Sequence, residues 1–195
     1  MAWAKNGTPN TLSSSASSIS ISDLTAKKLL VLLFNHFPDG NVDDPYLTVD
    51  VGSTGDYAVT ASQNGSTDSA VTNQNFFQID SGNNAYTRFH ISYIVNIDGE
   101  EKLGIGFTMR TRAGASFTPD RKERFWKVDT STDSSQIGSI TIIPTTGNFA
   151  TGSNLSVLTG DETETVTLQD GTIFEETDTN KAYIWSSSSK TWTQL

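Results

Sequence analysis

Residues 88–109 carry the pattern that most constrains this chain. Phe89, Ile91, Tyr93, Val95 and Ile97 fall on one parity, while Arg88, His90, Ser92, Asn96 and Asp98 fall on the other. A period of two is that of a β-strand with one face in a core, because successive side chains point to opposite sides. Asp98-Gly99-Glu100-Glu101 then supplies turn chemistry, and Leu103, Ile105, Phe107 and Met109 resume the alternation. The segment reads as a long β-hairpin. Its expected core face is Phe89, Ile91, Tyr93, Val95, Leu103, Ile105 and Phe107. Gly104 and Gly106 then fall on the outward face, where they admit a close neighbour or weaken the strand locally.

The rest of the chain repeats the theme. Leu47, Val49 and Val51 share a face opposite Thr48 and Asp50, and further strands are expected at 56–61, 75–80, 123–129, 137–143 and 154–158. The run Leu29–Phe34 suits either a strand buried on both faces or a short helix capped by Ser22. The strand is preferred because everything after it is β. Many short strands with no long amphipathic helix predict an all-β fold, an antiparallel β-sandwich of the jelly-roll kind. Residues 1–20 form an extended arm, rich in Gly, Thr and Ser over 6–20, that orders by packing on a neighbour. The sandwich spans 21–161. An acidic, Thr-rich linker opens residues 162–195, whose small β-meander is marginal alone and needs a surface to pack on.

Composition supports this reading and removes several function classes. The 24 Ser and 27 Thr make up more than a quarter of the 195 residues, which suits strands with polar outer faces and many turns. A net charge of -9 lacks the cationic footprint that nucleic acid or an anionic membrane surface requires. The absence of cysteine excludes disulfides and thiolate metal sites. Met1-Ala2-Trp3-Ala4-Lys5 leads into polar residues rather than an apolar signal core, so export through a signal peptide is not expected. The longest apolar run, Leu29 to Phe34, falls far short of the roughly 20 residues a membrane helix needs.

The chemical inventory is thin. The two histidines, His36 and His90, are far apart in sequence, and His90 is expected on the outward strand face beside Arg88. Glu100-Glu101 is an adjacent acidic pair in a turn, whereas glycosidase chemistry requires two carboxylates facing each other across a cleft. No nucleophile elbow, phosphate-binding loop, dinucleotide fingerprint or zinc-protease motif occurs. The expectation is therefore a protein that is not an enzyme and needs no cofactor, with calcium the one exception. Asp39, Asn41, Asp43 and Asp44 place oxygen donors close together, as hard cations require. The EF-hand pattern is broken there, since Asp44 stands where glycine makes the sharp turn, and the alternative is an acidic turn between strands. In the C-terminal unit, Phe174, Tyr183, Trp185 and Trp192 are candidate interface residues; a sugar-stacking platform and a mini-core are the alternatives.

Four segments carry a resemblance. They are Gly7-Thr8-Pro9-Asn10-Thr11-Leu12, Asp23-Leu24-Thr25-Ala26-Lys27-Lys28, Tyr93-Ile94-Val95-Asn96-Ile97 with Glu100-Glu101-Lys102-Leu103, and Gly152-Ser153-Asn154-Leu155-Ser156-Val157-Leu158. Over about residues 1–161 the chain resembles virion-associated structural proteins of tailed phages and related viruses of marine microbes. The stretch from Asp170 to Trp185 resembles a short β appendage recurring on phage structural proteins. The resemblance implies a jelly-roll or lectin-like sandwich assembled in a host cytoplasm and displayed on a particle as capsid decoration, fibre or spike. Its implied partners are copies of itself, other virion proteins and, in a lectin-like alternative, host-surface glycans. It carries no catalytic residue across.

Overall fold

The computed structural model describes the backbone of residues 3–53, 55–80, 86–111, 119–129, 135–160, 170–176, 181–186, 188–189 and 191–195. It describes their side chains except at 41–43, 174–176 and 192. Every helix or strand among these residues is a β-strand. In chain order they begin β1 (Trp3–Lys5), β2 (Asn10–Thr11), β3 (Ile19–Ile21), β4 (Leu29–His36), β5 (Pro38–Val49), β6 (Tyr57–Gln63), β7 (Ser69–Gln74) and β8 (Phe77–Gln78). They continue with β9 (Arg88–Val95), β10 (Lys102–Arg110), β11 (Asp120–Val128), β12 (Ile140–Phe149) and β13 (Asn154–Gly160). The last three are β14 (Ile173–Glu176), β15 (Lys181–Ser186) and β16 (Thr191–Gln194).

Two antiparallel sheets form the main unit, Met1–Asp161. The larger has the order β1-β13-β4-β9-β10-β11-β6-β7, with β2 also on β13; the smaller is β3-β12-β5-β8. The chain is an antiparallel β-sandwich. Ile19, Ile21, Leu47, Phe77, Ile79, Ile140, Ile142 and Phe149 come from the side of the smaller sheet. They meet Leu30, Leu32, Phe34, Ile94, Trp126, Val128, Leu155 and Val157 from the larger, all buried. The run Leu29–Phe34 is strand, as preferred above, and sits mid-sheet between β13 and β9. The second compact unit, Glu162–Leu195, is the three-stranded sheet β14-β15-β16.

The N-terminal arm differs from expectation. It does not wait for a neighbour but pairs on its own sandwich, β1 and β2 on β13 and β3 on β12. Buried Asn6 fixes it, donating to the Thr25 carbonyl at 3.0 Å and accepting from the Thr25 amide at 2.8 Å. Asp23 accepts from the Thr8 amide and hydroxyl, which accounts for this polar stretch holding one path.

The largest correction concerns the hairpin. β9 and β10 pair with the expected alternation, but the opposite parity faces the core. Arg88, His90, Ser92, Ile94 and Asn96 are buried, while Phe89, Tyr93, Val95, Leu103, Ile105 and Phe107 are 37–48% exposed, and Ile91 is half-buried. Gly104 and Gly106 face inward. A Cβ at Gly104 would lie 2.1 Å from the Trp126 ring, and one at Gly106 would lie 2.8 Å from His90 Cε1. The glycines thus make room for buried rings, and Trp126 stacks on Phe77 with ring centroids 5.2 Å apart. Asn96 sets the phase where β9 ends. Its side chain donates to the Lys27 carbonyl at 2.9 Å and accepts from the Ile137 amide at 2.8 Å, ties that only an inward residue can make.

Candidate functional site

The two faces of the large sheet set up different chemistry. On the outer face, Val31, Tyr93, Ile105 and Phe125 align across β4, β9, β10 and β11. Leu33, Ile91 and Phe107 make a second row, and Leu29, Val95 and Leu103 a third. Antiparallel partners directly opposite share a face, so these rows are one continuous apolar surface. Phe89, Tyr93, Val95, Ile97, Leu103, Ile105, Phe107, Met109 and Phe125 are its nine most exposed members, at 37–53%. At roughly 150–200 Å² per side chain they present on the order of 700 Å². That exceeds the roughly 300–600 Å² of the largest apolar patch on a typical monomer. The rim mixes signs: Lys127 Nζ lies 2.7 Å from Glu101 Oε1, and Arg121 Nε lies 3.1 Å from Glu123 Oε1.

The inner face is polar at its β11 end. Asp80, fully buried at the exit of β8, contacts Arg88 Nε at 2.5 Å and Lys122 Nζ at 2.6 Å, with Arg110 at 3.8 Å. Arg110 also meets Asp120 at 2.7 Å. Burial opposes ionisation of Asp80, but Lys122 and Arg88 outweigh it and hold the carboxyl below its ordinary pKa. Burial, with Arg88 nearby, pushes His36 down to about 3. Burial, with Arg124 nearby, does the same to His90. Both rings are therefore neutral at pH 7, and His90 Nδ1 is engaged at 2.8 Å by the Thr108 hydroxyl.

Arg124 stands apart. It is 5% exposed, its Nε has no hydrogen-bond partner, and no hydrogen bond or ion pair joins it to any described residue. Burial lowers its pKa from the ordinary arginine value. With Lys122 it lines a cavity of about 190 Å³ whose other walls are polar, including Gln63, Ser66, Ser69 and Gln78.

The sequence-predicted residues fall elsewhere. Asp39, Asn41, Asp43 and Asp44 lie within β5 rather than in a loop between strands. Asp39 is exposed and its backbone registers with Asn148, while Asp44 accepts from Gln78 Nε2 at 2.9 Å. The side chains of Asn41 and Asp43 lie outside the described residues. Among those described, no three His, Cys, Asp or Glu groups converge as metal ligands would. In the C-terminal unit, backbone register sets Phe174 opposite Tyr183 and Trp185 opposite Trp192. Tyr183 and Trp185 are half-buried; the side chains of Phe174 and Trp192 lie outside the described residues. Glu100 and Glu101 are both exposed in the turn, and Glu101 is paired with Lys127 at 2.7 Å.

Sequence reasoning missed Asp80, Lys122 and Arg124. One signal was present: Lys122 and Arg124 share parity with Trp126 and Val128, so burying those two apolar residues also buries the two cations. No family model, no curated protein and no solved structure matches the chain. Among the described residues no helix is long and apolar enough to cross a membrane.

Proposed function

We propose that this chain is a structural component of a virion that acts through assembly contacts, with the outer face of the large sheet packing on a second copy of itself. The observation that carries the assembly reading is the apolar surface centred on Tyr93, Ile105 and Phe125. Its order-of-magnitude area approaches the roughly 800 Å² per partner of a stable interface. Its rim offers both charge signs, which a two-fold related copy can match pair against pair. Two such sheets stack face to face at about 10 Å, the spacing of the sandwich itself. The virion assignment rests on the four sequence segments and the β appendage described above, and includes display as decoration, fibre or spike.

Sedimentation of the wild type and of Ile105→Asp tests the assembly. At about 10 μM the wild type forms a dimer or larger species, and Ile105→Asp is a folded monomer, because a carboxylate at a buried interface costs several kcal/mol per copy. A wild type monomeric at tenfold higher concentration, or a variant that still assembles or fails to fold, overturns it. Mass spectrometry of purified particles tests the virion assignment: the chain is expected among their proteins in many copies.

A further inference from the structure

We infer that the cavity floored by Arg124, at the open edge of the sandwich between β6, β7 and β8, binds an oxyanion group, carboxylate or sulfate ester, carried on a sugar. The inference is independent of the assembly reading, since the cavity lies on the opposite side of the sheet from the apolar face. A guanidinium buried without a hydrogen-bonding partner costs several kcal/mol unless something compensates it, and buried polar groups are almost always satisfied. Arg124 has no such partner among the described residues, although its five N–H groups form the fork that suits a bidentate oxyanion. Register places Gly106 directly opposite it, so no side chain from β10 covers it on that flank.

The walls supply what a hydroxylated ligand needs. Ser66 accepts from the Gln63 amide at 3.2 Å and Ser69 donates to the Ala61 carbonyl at 3.3 Å, which fixes both hydroxyls at the cavity wall. Gln78 donates through Nε2 to Asp44, which leaves its carbonyl oxygen as an acceptor. At about 190 Å³ the cavity is below the roughly 300–1,000 Å³ of drug-sized sites and suits one sugar ring or less. Lys122 lines the same wall but is paired with Asp80 at 2.6 Å, so Arg124 is the group left to meet an anion there.

Titration calorimetry and thermal shift with glucuronate, glucose and inorganic sulfate test the site in the full chain. Glucuronate is expected to bind with Kd on the order of 1 mM and raise Tm, with glucose at least tenfold weaker. Arg124→Gln should abolish the glucuronate shift while raising the ligand-free Tm, because it removes a buried charge whose desolvation Asp80 and Asp44 offset only in part. Arg124→Lys should keep binding in part. No glucuronate binding at 20 mM, or binding unchanged in Arg124→Gln, overturns the site. Sulfate binding as tightly as glucuronate overturns the sugar assignment, because the hydroxyl-lined wall would then contribute nothing.

Discussion

Replacing Gly104 by Ala distinguishes the two orientations of the β9–β10 hairpin by the sign of its effect. Were Gly104 on a solvent face, a Cβ there would restrict the unfolded chain and improve strand propensity, for a gain of about 0.5–1 kcal/mol. In the structure that Cβ meets Trp126 Cε2, Nε1 and Cζ2 at 2.1, 2.2 and 2.4 Å, more than 1 Å inside ordinary contact. The indole cannot yield freely. It is 3% exposed, stacked on Phe77, and donates from Nε1 to the Ser92 hydroxyl at 3.3 Å. Over-packing of this kind costs about 1–3 kcal/mol, and loss of the hydrogen bond adds about 1. The expected total of about 2–4 kcal/mol corresponds to a fall in Tm of roughly 5–15 °C for a domain of this size. Urea unfolding followed by tryptophan fluorescence measures it. Trp126→Leu should recover part of the loss when combined with Gly104→Ala, giving a favourable coupling in the double-mutant cycle. An Ala variant as stable as the wild type, or more so, would refute the inward placement of Gly104 and with it the orientation of the hairpin.

Two further outcomes follow from the same geometry. Ile94→Ala, at a fully buried position, should destabilise by about 2–5 kcal/mol, whereas Ile91→Ala on the half-buried outer face should cost about 1 kcal/mol or less in the monomer, both read from urea midpoints. On acidification, His36 and His90 remain neutral in the folded state down to about pH 3 but charge in the unfolded chain near pH 6.5. Their lowered folded pKa values mean the unfolded state binds the extra protons. Stability is therefore retained above about pH 6.5 and falls below it, by about tenfold in the folding constant per pH unit per histidine. Asp80, held below its ordinary pKa, adds to the loss only as pH falls through about 4 and below. Equilibrium unfolding at pH 7, 6 and 5 measures the slope, and a flat profile there excludes neutral buried histidines.

Most strands from residue 29 onward were legible in the sequence, because period-two alternation and Gly/Asp turn chemistry are local properties, whereas β1–β3 of the arm and β7 were not. The hairpin at 88–109, the sandwich class and the strand–turn–strand character of 170–195 rest on such local signals, whereas Leu29–Phe34 is preferred as strand over helix only because the chain after it is β. Which face of a strand turns inward is not local. On β9 and β10 the more apolar parity is the exposed one, and a one-residue change of phase inverts every assignment. Only the packing decided it. Asn96 ties to Lys27 and Ile137, Trp126 lies over Gly104, and Asp80 arrives from the far end of β8 to neutralise Arg88 and Lys122. Those partners lie from 8 to 69 residues apart in the chain, beyond the reach of any pattern read along a single strand. The sequence alone therefore determined that this chain is all β and where its central hairpin turns. The tertiary structure decided that the cluster of Asp80, Arg88, Lys122 and Arg124 is inside, that the richest apolar face is outside, and hence where the chain can bind.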